Sequence, residues 1–178
     1  MTGLTLFSDE HVRGRSCGSC KACCVQMPIE EINKKANVKC NHLKSNGCGI
    51  YKSRPISCRM WSCRWLIDED TAEIKRPDRA GYIIDTALDT ILVDGEPVNA
   101  LQIWVDPVRR DAHLDPSLRK YLNMMGEVHG LPAIVRWASD ECFFLAAPSL
   151  TKSRQWEEYW GGSVSPEHMA ARLKEARG

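Results

Sequence analysis

The chain has 178 residues, a formal net charge of +1 and 43% hydrophobic residues, enough for a modest core and too balanced for a disordered or strongly charged tail protein. No apolar run approaches the roughly 20 residues of a membrane helix, and MTGLTLFSDEHVRGR lacks the basic start and apolar segment of a secretory leader. The expectation is a cytoplasmic chain with no membrane partner.

Eight of the nine cysteines fall within one short stretch: Cys17, Cys20, Cys23, Cys24, Cys40, Cys48, Cys58 and Cys63. Thiolates at that density need metal or disulfides, and a reducing compartment favours metal; a secreted setting would restore the disulfide reading. Charge follows the same division. Residues 1–67 hold 11 Lys plus Arg against 4 Asp plus Glu, and the remainder 13 against 19. Eight thiolates around two divalent ions carry a charge of −4, so a basic surround stabilises sulfur and complex together. The same basic surplus is the only support for a face that meets nucleic acid.

In chain order, GRSCGSCKACCVQM (14–27) reads as a small-residue loop wrapping a ligand. Pro28 then suits the first turn of a short helix over Ile29 to Lys35, with Ile32 and Ala36 facing inward. From Asn37 to Ser62 no period is sustained, and Gly47, Gly49 and Pro55 punctuate irregular, metal-organised structure. YIID, TILV and ALQIWV, between residues 81 and 105, predict three antiparallel strands. Asp115-Pro116 opens a helix whose apolar stripe is Leu118, Tyr121, Leu122, Met125 and Val128, and Gly130 closes it. AIVRWA (133–138) and CFFLAA (142–147) predict two more strands. Trp156 and Trp160 stand one helical turn apart, and Ser165-Pro166 starts a last helix through Met169 and Leu173. The expected class is α+β: an irregular cysteine-rich lobe over residues 1–70, packed on an antiparallel sheet with helices over residues 71–178.

Cys17-x2-Cys20-x2-Cys23 places three sulfurs on one loop, but Met27-Pro28 stands where a ferredoxin run carries its fourth cysteine. Cys40-x7-Cys48 and Cys58-x4-Cys63 match no zinc-finger spacing. Eight sulfurs suit two closed tetrahedral zinc sites, one iron-sulfur cluster with four spare thiols, or one of each. Adjacent Cys23 and Cys24 normally diverge, serving different ions unless one bridges.

CGSCKACC (17–24), Cys40 and GCGIYKSRPISCRMWSCRW (47–65) together resemble the CxxCxxCC cysteine-cluster proteins of the YkgJ-type zinc- or iron-chelating family. The resemblance covers residues 14–66 and says nothing of residues 71–178. It implies metal chelation by the matching cysteines and no general catalytic activity. Flagellin lysine methylases carry a related cluster, yet no methyltransferase signature such as a Gly-rich loop after a strand stands here.

Arg54 and Arg59 are candidates to donate hydrogen bonds to metal-bound sulfur. Tyr51, Trp61 and Trp65 read as packing around the cluster, His11 and His42 as solvent-facing, and Cys142 as a small apolar strand residue. Asp85, Asp89 and Asp94 suit hairpin edges and turns. Three readings follow: a metalloprotein whose zinc or iron is mainly structural, an iron-sulfur redox or modifying enzyme, and a zinc-organised module binding nucleic acid or protein. The absence of an acid/base or nucleophile arrangement weighs against the second.

Overall fold

The computed structural model describes residues 11–93, 96–138 and 140–160. The elements run α1 (Ala22–Gln26), β1 (Leu43–Lys44), β2 (Gly47–Cys48), α2 (Ile56–Met60), α3 (Arg64–Ile67), α4 (Pro77–Ala80), β3 (Tyr82–Ile84), β4 (Asp89–Val93), β5 (Glu96–Val105), α5 (Pro116–His129), β6 (Ala133–Arg136), β7 (Cys142–Ala146) and β8 (Glu157–Trp160). The class is α+β.

The six-stranded sheet has the order β3-β5-β6-β7-β8, with β4 also paired to β5. All its pairings are antiparallel except β5 with β6, which is parallel. That exception follows from α5, since a helix lying between two adjacent strands returns the chain in the same direction. β3 and β4 are two pieces of one bent edge. Tyr82 pairs Val105 and Ile84 pairs Ile103, but Asp89 pairs Ala100, so two extra residues are accommodated between Asp85 and Leu88. A bulge of this kind redirects side chains, and here it turns Asp85 inward, where it is 4% exposed.

Strand alternation divides the sheet into two apolar faces. Tyr82, Ile84, Leu101, Ile103, Val105, Val135, Phe143 and Leu145 pack with Leu118, Tyr121, Leu122 and Met125 of α5. Ile83 and Trp104 point the other way and bury against Ala22, Cys63 and Leu66 of the cysteine region. The sheet therefore separates the helix from the cysteines.

α5 forms as its residues dictate. The Asp115 carboxylate accepts from Ser117 N at 3.0 Å, Pro116 takes the first helical position, and Gly130 closes the helix at φ 66°. Val128 departs from the expected stripe and is 65% exposed. One glycine on this helix is demanded by space. A Cβ on Gly126 would stand 2.6 Å from Ser149 Oγ and 3.1 Å from Leu150 Cγ, in a turn pinned by Ser149 N and Oγ bonding to Asn123. Gly126→Ala is therefore expected to destabilise by about 1–3 kcal/mol through overpacking, although alanine is the better helix former by about 1 kcal/mol. A thermal melt showing stabilisation would contradict this.

Four expectations are corrected. The 14–27 stretch is not all loop, since α1 occupies its second half. Residues 29–35 form only a 3-10 turn, Glu30–Ile32, because Ile29 and Lys34 pair through two backbone hydrogen bonds of 2.9 Å around Asn33 at φ 51°. The span 37–62 holds the β1-β2 hairpin and α2 as well as irregular chain. No helix carries Trp156 and Trp160: Trp156 immediately precedes β8 and Trp160 ends it, and pairing with β7 overrides the helical spacing of the two tryptophans. The helix expected through Met169 and Leu173 lies outside the described residues, as does Asp94. No helix among the described residues is long and apolar enough to cross a membrane.

Candidate metal centre

All eight cysteines of the constellation carry free thiols. Elements with little core of their own present them. Cys23 and Cys24 lie in α1, Cys58 in α2, Cys48 on β2, and Cys63 is the residue that starts α3. Short segments of this kind owe their geometry to what they are tied to, because isolated helices under about 12 residues are marginal in water.

The thiols feel one another across the region. Burial pushes Cys63 up to about 12, opposed by the nearby Leu66 backbone N–H and reinforced by Cys17 and Cys20. Burial also raises Cys20, whose sulfur accepts from Ala22 N and Asp78 N. Cys17 is raised by burial and by Cys24, with Arg54 and Arg76 opposing. Cys23 is raised by Cys24 and by burial, with Cys20 and Cys17 adding smaller effects. Burial raises Cys58 as well, and Cys24, Glu31 and Cys40 add to the rise. Cys40 N donates to Cys24 O at 2.8 Å, and Leu43 N and Gly49 N tie the hairpin carrying Cys48 back to Cys40 O and His42 O.

Cys23 and Cys24 are adjacent in α1. Instead of diverging, these thiols are hydrogen-bonded to each other. That bond drives Cys23 upward and Cys24 downward, the latter aided by the charges of Lys34, Arg54 and Lys21.

Four cationic groups organise the surround. Lys34 is 7% exposed. Its ammonium donates to Val25 O at 2.9 Å, to Met27 O and to Lys35 O, while Cys40, Cys24, Cys23 and Cys58 offset the burial that lowers its pKa. Arg76 braces the first loop, donating to Cys17 O at 3.5 Å and Ser19 Oγ at 3.0 Å while paired with Asp78 at 2.7 Å. Gly18 sits at φ 50°, where a Cβ would meet Arg76 Nη1 at 3.3 Å. Arg15 donates to Trp65 O, Asp68 O and Thr71 Oγ1, strapping the approach to Cys17 onto the chain after Cys63. Arg54 lies 3.8 Å from the Tyr51 ring centre, its charge acts on Cys17 and Cys24, and its Nε is buried with no hydrogen-bond partner.

Lys34, Arg76 and Arg15 escaped the sequence reading, since lysine and arginine carry no motif when they act through backbone carbonyls. Arg59 is exposed in the last turn of α2, His11 is exposed and His42 half-buried. Cys142 lies away from the constellation, on β7 opposite Arg136.

A buried polar cluster joins this region to the sheet. The Asp85 carboxylate accepts from Trp61 Nε1 at 2.7 Å, Trp104 Nε1 at 3.1 Å and Ala87 N at 3.0 Å. Arg64, fully buried, donates to Asp85 O at 2.9 Å and to Tyr121 Oη at 3.3 Å, and Tyr121 Oη donates to Asp68 Oδ2 at 2.7 Å. Asp85 is thus no simple turn residue. Asp85→Ala removes the acceptor of three donors, the Trp104 Nε1–H among them buried, so a loss of about 2–4 kcal/mol is expected in urea unfolding. A loss below about 1 kcal/mol would show that these bonds contribute little.

Whether these residues suit a metal rests on donor chemistry and neighbourhood. No group of three or more His, Cys, Asp or Glu among the described residues stands in metal-holding geometry. The donors are nonetheless thiols, the ligands of choice for zinc and iron-sulfur clusters. The orphaned Arg54 Nε–H is a donor without an acceptor until a neighbouring sulfur carries full negative charge. The residues fit the group in that sense. No family model, no curated protein and no solved structure matches the chain.

Proposed function

We propose that this protein chelates zinc or iron, the latter as ions or an iron-sulfur cluster, through Cys17, Cys20, Cys23, Cys24, Cys40, Cys48, Cys58 and Cys63. The metal's role is mainly structural. The observation that carries the reading is a single region holding eight free thiols, four of them acting on a buried ammonium, with an arginine N–H left over for sulfur. Metal–thiolate bonds supply the stability that short α1, α2 and the two-residue strands lack. Arg54 donates to the bound sulfurs, and Arg59 adds positive charge at the rim. The reducing cytoplasm keeps such thiols available, and metal ions are the partners this chemistry selects.

Elemental analysis of variants tests the proposal. Cys20→Ser and Cys58→Ser are each expected to lower bound metal by about one equivalent, and Cys142→Ser to leave it unchanged. Loss of an equivalent in Cys142→Ser alone, or full metal in both of the others, would refute the assignment.

A further inference from the structure

We infer that the cleft lined by Arg15, Trp65, Ile74, Lys75, Arg76 and Arg79, which contains none of the thiols, is a binding site for a small organic phosphate ester. The cleft has a volume of about 360 Å³ and also touches Ala72. That volume falls within the roughly 300–1,000 Å³ of small-molecule sites. Four of its seven lining residues are cationic and none is acidic. Charges of one sign gathered in a concave, partly apolar wall focus their field on an anion.

Two of the cations are fixed by the fold. Arg15 commits one nitrogen, Nη1, to Trp65 O, Asp68 O and Thr71 Oγ1, and its guanidinium lies 5.3 Å from the Trp65 ring centre. No bond from its Nε or Nη2 to a described residue accompanies these. Asp68 offers it a carbonyl only, because the carboxylate faces Tyr121 Oη at 2.7 Å and Arg64 at 3.6 Å. Arg76 is held by Asp78, at 2.7 Å from Nε and 2.8 Å from Nη2, and by Ser19 Oγ at 3.0 Å. That one acid offsets one of four charges, so the cleft keeps a positive surplus. Lys75 and Arg79 are exposed and stand in no ion pair among the described residues. Two fixed guanidiniums and two unpaired cations suit the doubly charged, three-oxygen head of a phosphate ester.

The rest of the wall decides what the phosphate carries. Trp65 Nε1 donates to Ile74 O at 3.0 Å, so the indole, Ile74 and Ala72 form one tied apolar flank. An inorganic ion leaves that flank wet, whereas an ester covers it and gains from its burial. The surroundings also limit size. Glu69 and Asp70 are exposed in the turn that leads into Ala72, and Glu73, paired with Lys120, separates Ala72 from Ile74. An extended polyanion such as a nucleic-acid strand meets repulsion from these carboxylates, and a single phosphate seated among the cations meets far less.

Isothermal titration calorimetry of the full chain with phenyl phosphate at low ionic strength tests this. One equivalent is expected to bind with a dissociation constant of about 1 mM or tighter, and inorganic phosphate to bind about threefold or more weakly. The double variant Lys75→Gln, Arg79→Gln changes exposed side chains only and is expected to weaken phenyl phosphate by about fivefold to tenfold. Lys52→Gln with Lys152→Gln removes the same charge from exposed positions off the cleft and is expected to leave the affinity unchanged. As a check that needs no variant, the Trp65 Nε1–H resonance of the wild-type protein is expected to shift on titration. No saturable binding, no shift at Trp65, or equal weakening by the two double variants would overturn the inference. Equal affinity for inorganic phosphate would assign the cleft to the free ion and overturn the ester. Tighter binding of a single-stranded oligonucleotide, weakened by Lys75→Gln with Arg79→Gln, would make the occupant a nucleic acid and overturn it as well.

Discussion

Arg64→Ala is expected to cost the fold about 3–5 kcal/mol, measured as the loss of unfolding free energy in urea. The side chain is fully buried, donates from Nε to Asp85 O and from Nη1 to Tyr121 Oη, and stands 3.6 Å from the Asp68 carboxylate. Truncation removes the cation and leaves Asp68 buried at 5% exposure, with the Tyr121 hydroxyl and the Asp85 carbonyl deprived of a donor. Uncompensated buried charge is the costliest of these losses, because desolvation is no longer offset by an ion pair. The effect extends to the cysteines: Cys63 precedes Arg64, and Trp61 bonds to the same Asp85. Arg64→Lys keeps the charge but loses the fork that reaches two acceptors, so an intermediate loss is expected. A change below about 1 kcal/mol in Arg64→Ala would contradict the role given to this cluster.

Metal removal is expected to collapse protection from hydrogen exchange across residues 17–60 by several orders of magnitude while residues 82–146 stay protected. The reason is unequal support. The sheet and α5 share one large buried cluster, whereas the cysteine region contributes Ala22, Cys63 and Leu66 to a small one and is otherwise held by hydrogen bonds and side-chain straps. Structural zinc contributes about 10–16 kcal/mol of binding free energy in zinc-finger peptides, far more than these straps. The residues from Arg64 onward belong energetically to the body, through Arg64, Leu66 and Asp68, so the loosened segment should end close to Trp61. Unchanged protection over 17–60 after verified metal removal would contradict this.

The regular half of the molecule was legible because each element carried redundant signals. The stripe of α5, its Asp115-Pro116 start and its Gly130 stop agreed with one another, and the apolar runs at 82–85, 90–93, 100–105, 133–136 and 142–146 formed strands. The parallel pairing of β5 with β6 was implicit in the helix between them, yet no single run of residues announces it. β8 was hidden because Trp156 and Trp160 mimic helical spacing, and only a waiting edge on β7 decides the outcome.

The cysteine half was legible in composition and opaque in geometry. Spacing identified the eight thiols, but not that Cys63 comes back within electrostatic reach of Cys17 and Cys20, more than forty residues earlier in the chain. Lys34 looked like one charge among many until the Ile29–Lys34 pairing turned its ammonium onto the carbonyls following α1. Arg54 was anticipated as a sulfur donor, and its buried, partnerless Nε suits that role.

The most direct test of the account is the metal and sulfide content of the protein purified without oxygen, with its absorption and electron paramagnetic resonance spectra. About two equivalents of metal per chain held by thiolate are expected: colourless and zinc-rich for two closed sites, or with a broad visible band and stoichiometric sulfide where four of the thiols hold a cluster. A protein that purifies with no metal, binds neither zinc nor reconstituted iron and sulfide, and keeps its hydrogen-exchange protection at residues 17–60 would contradict it.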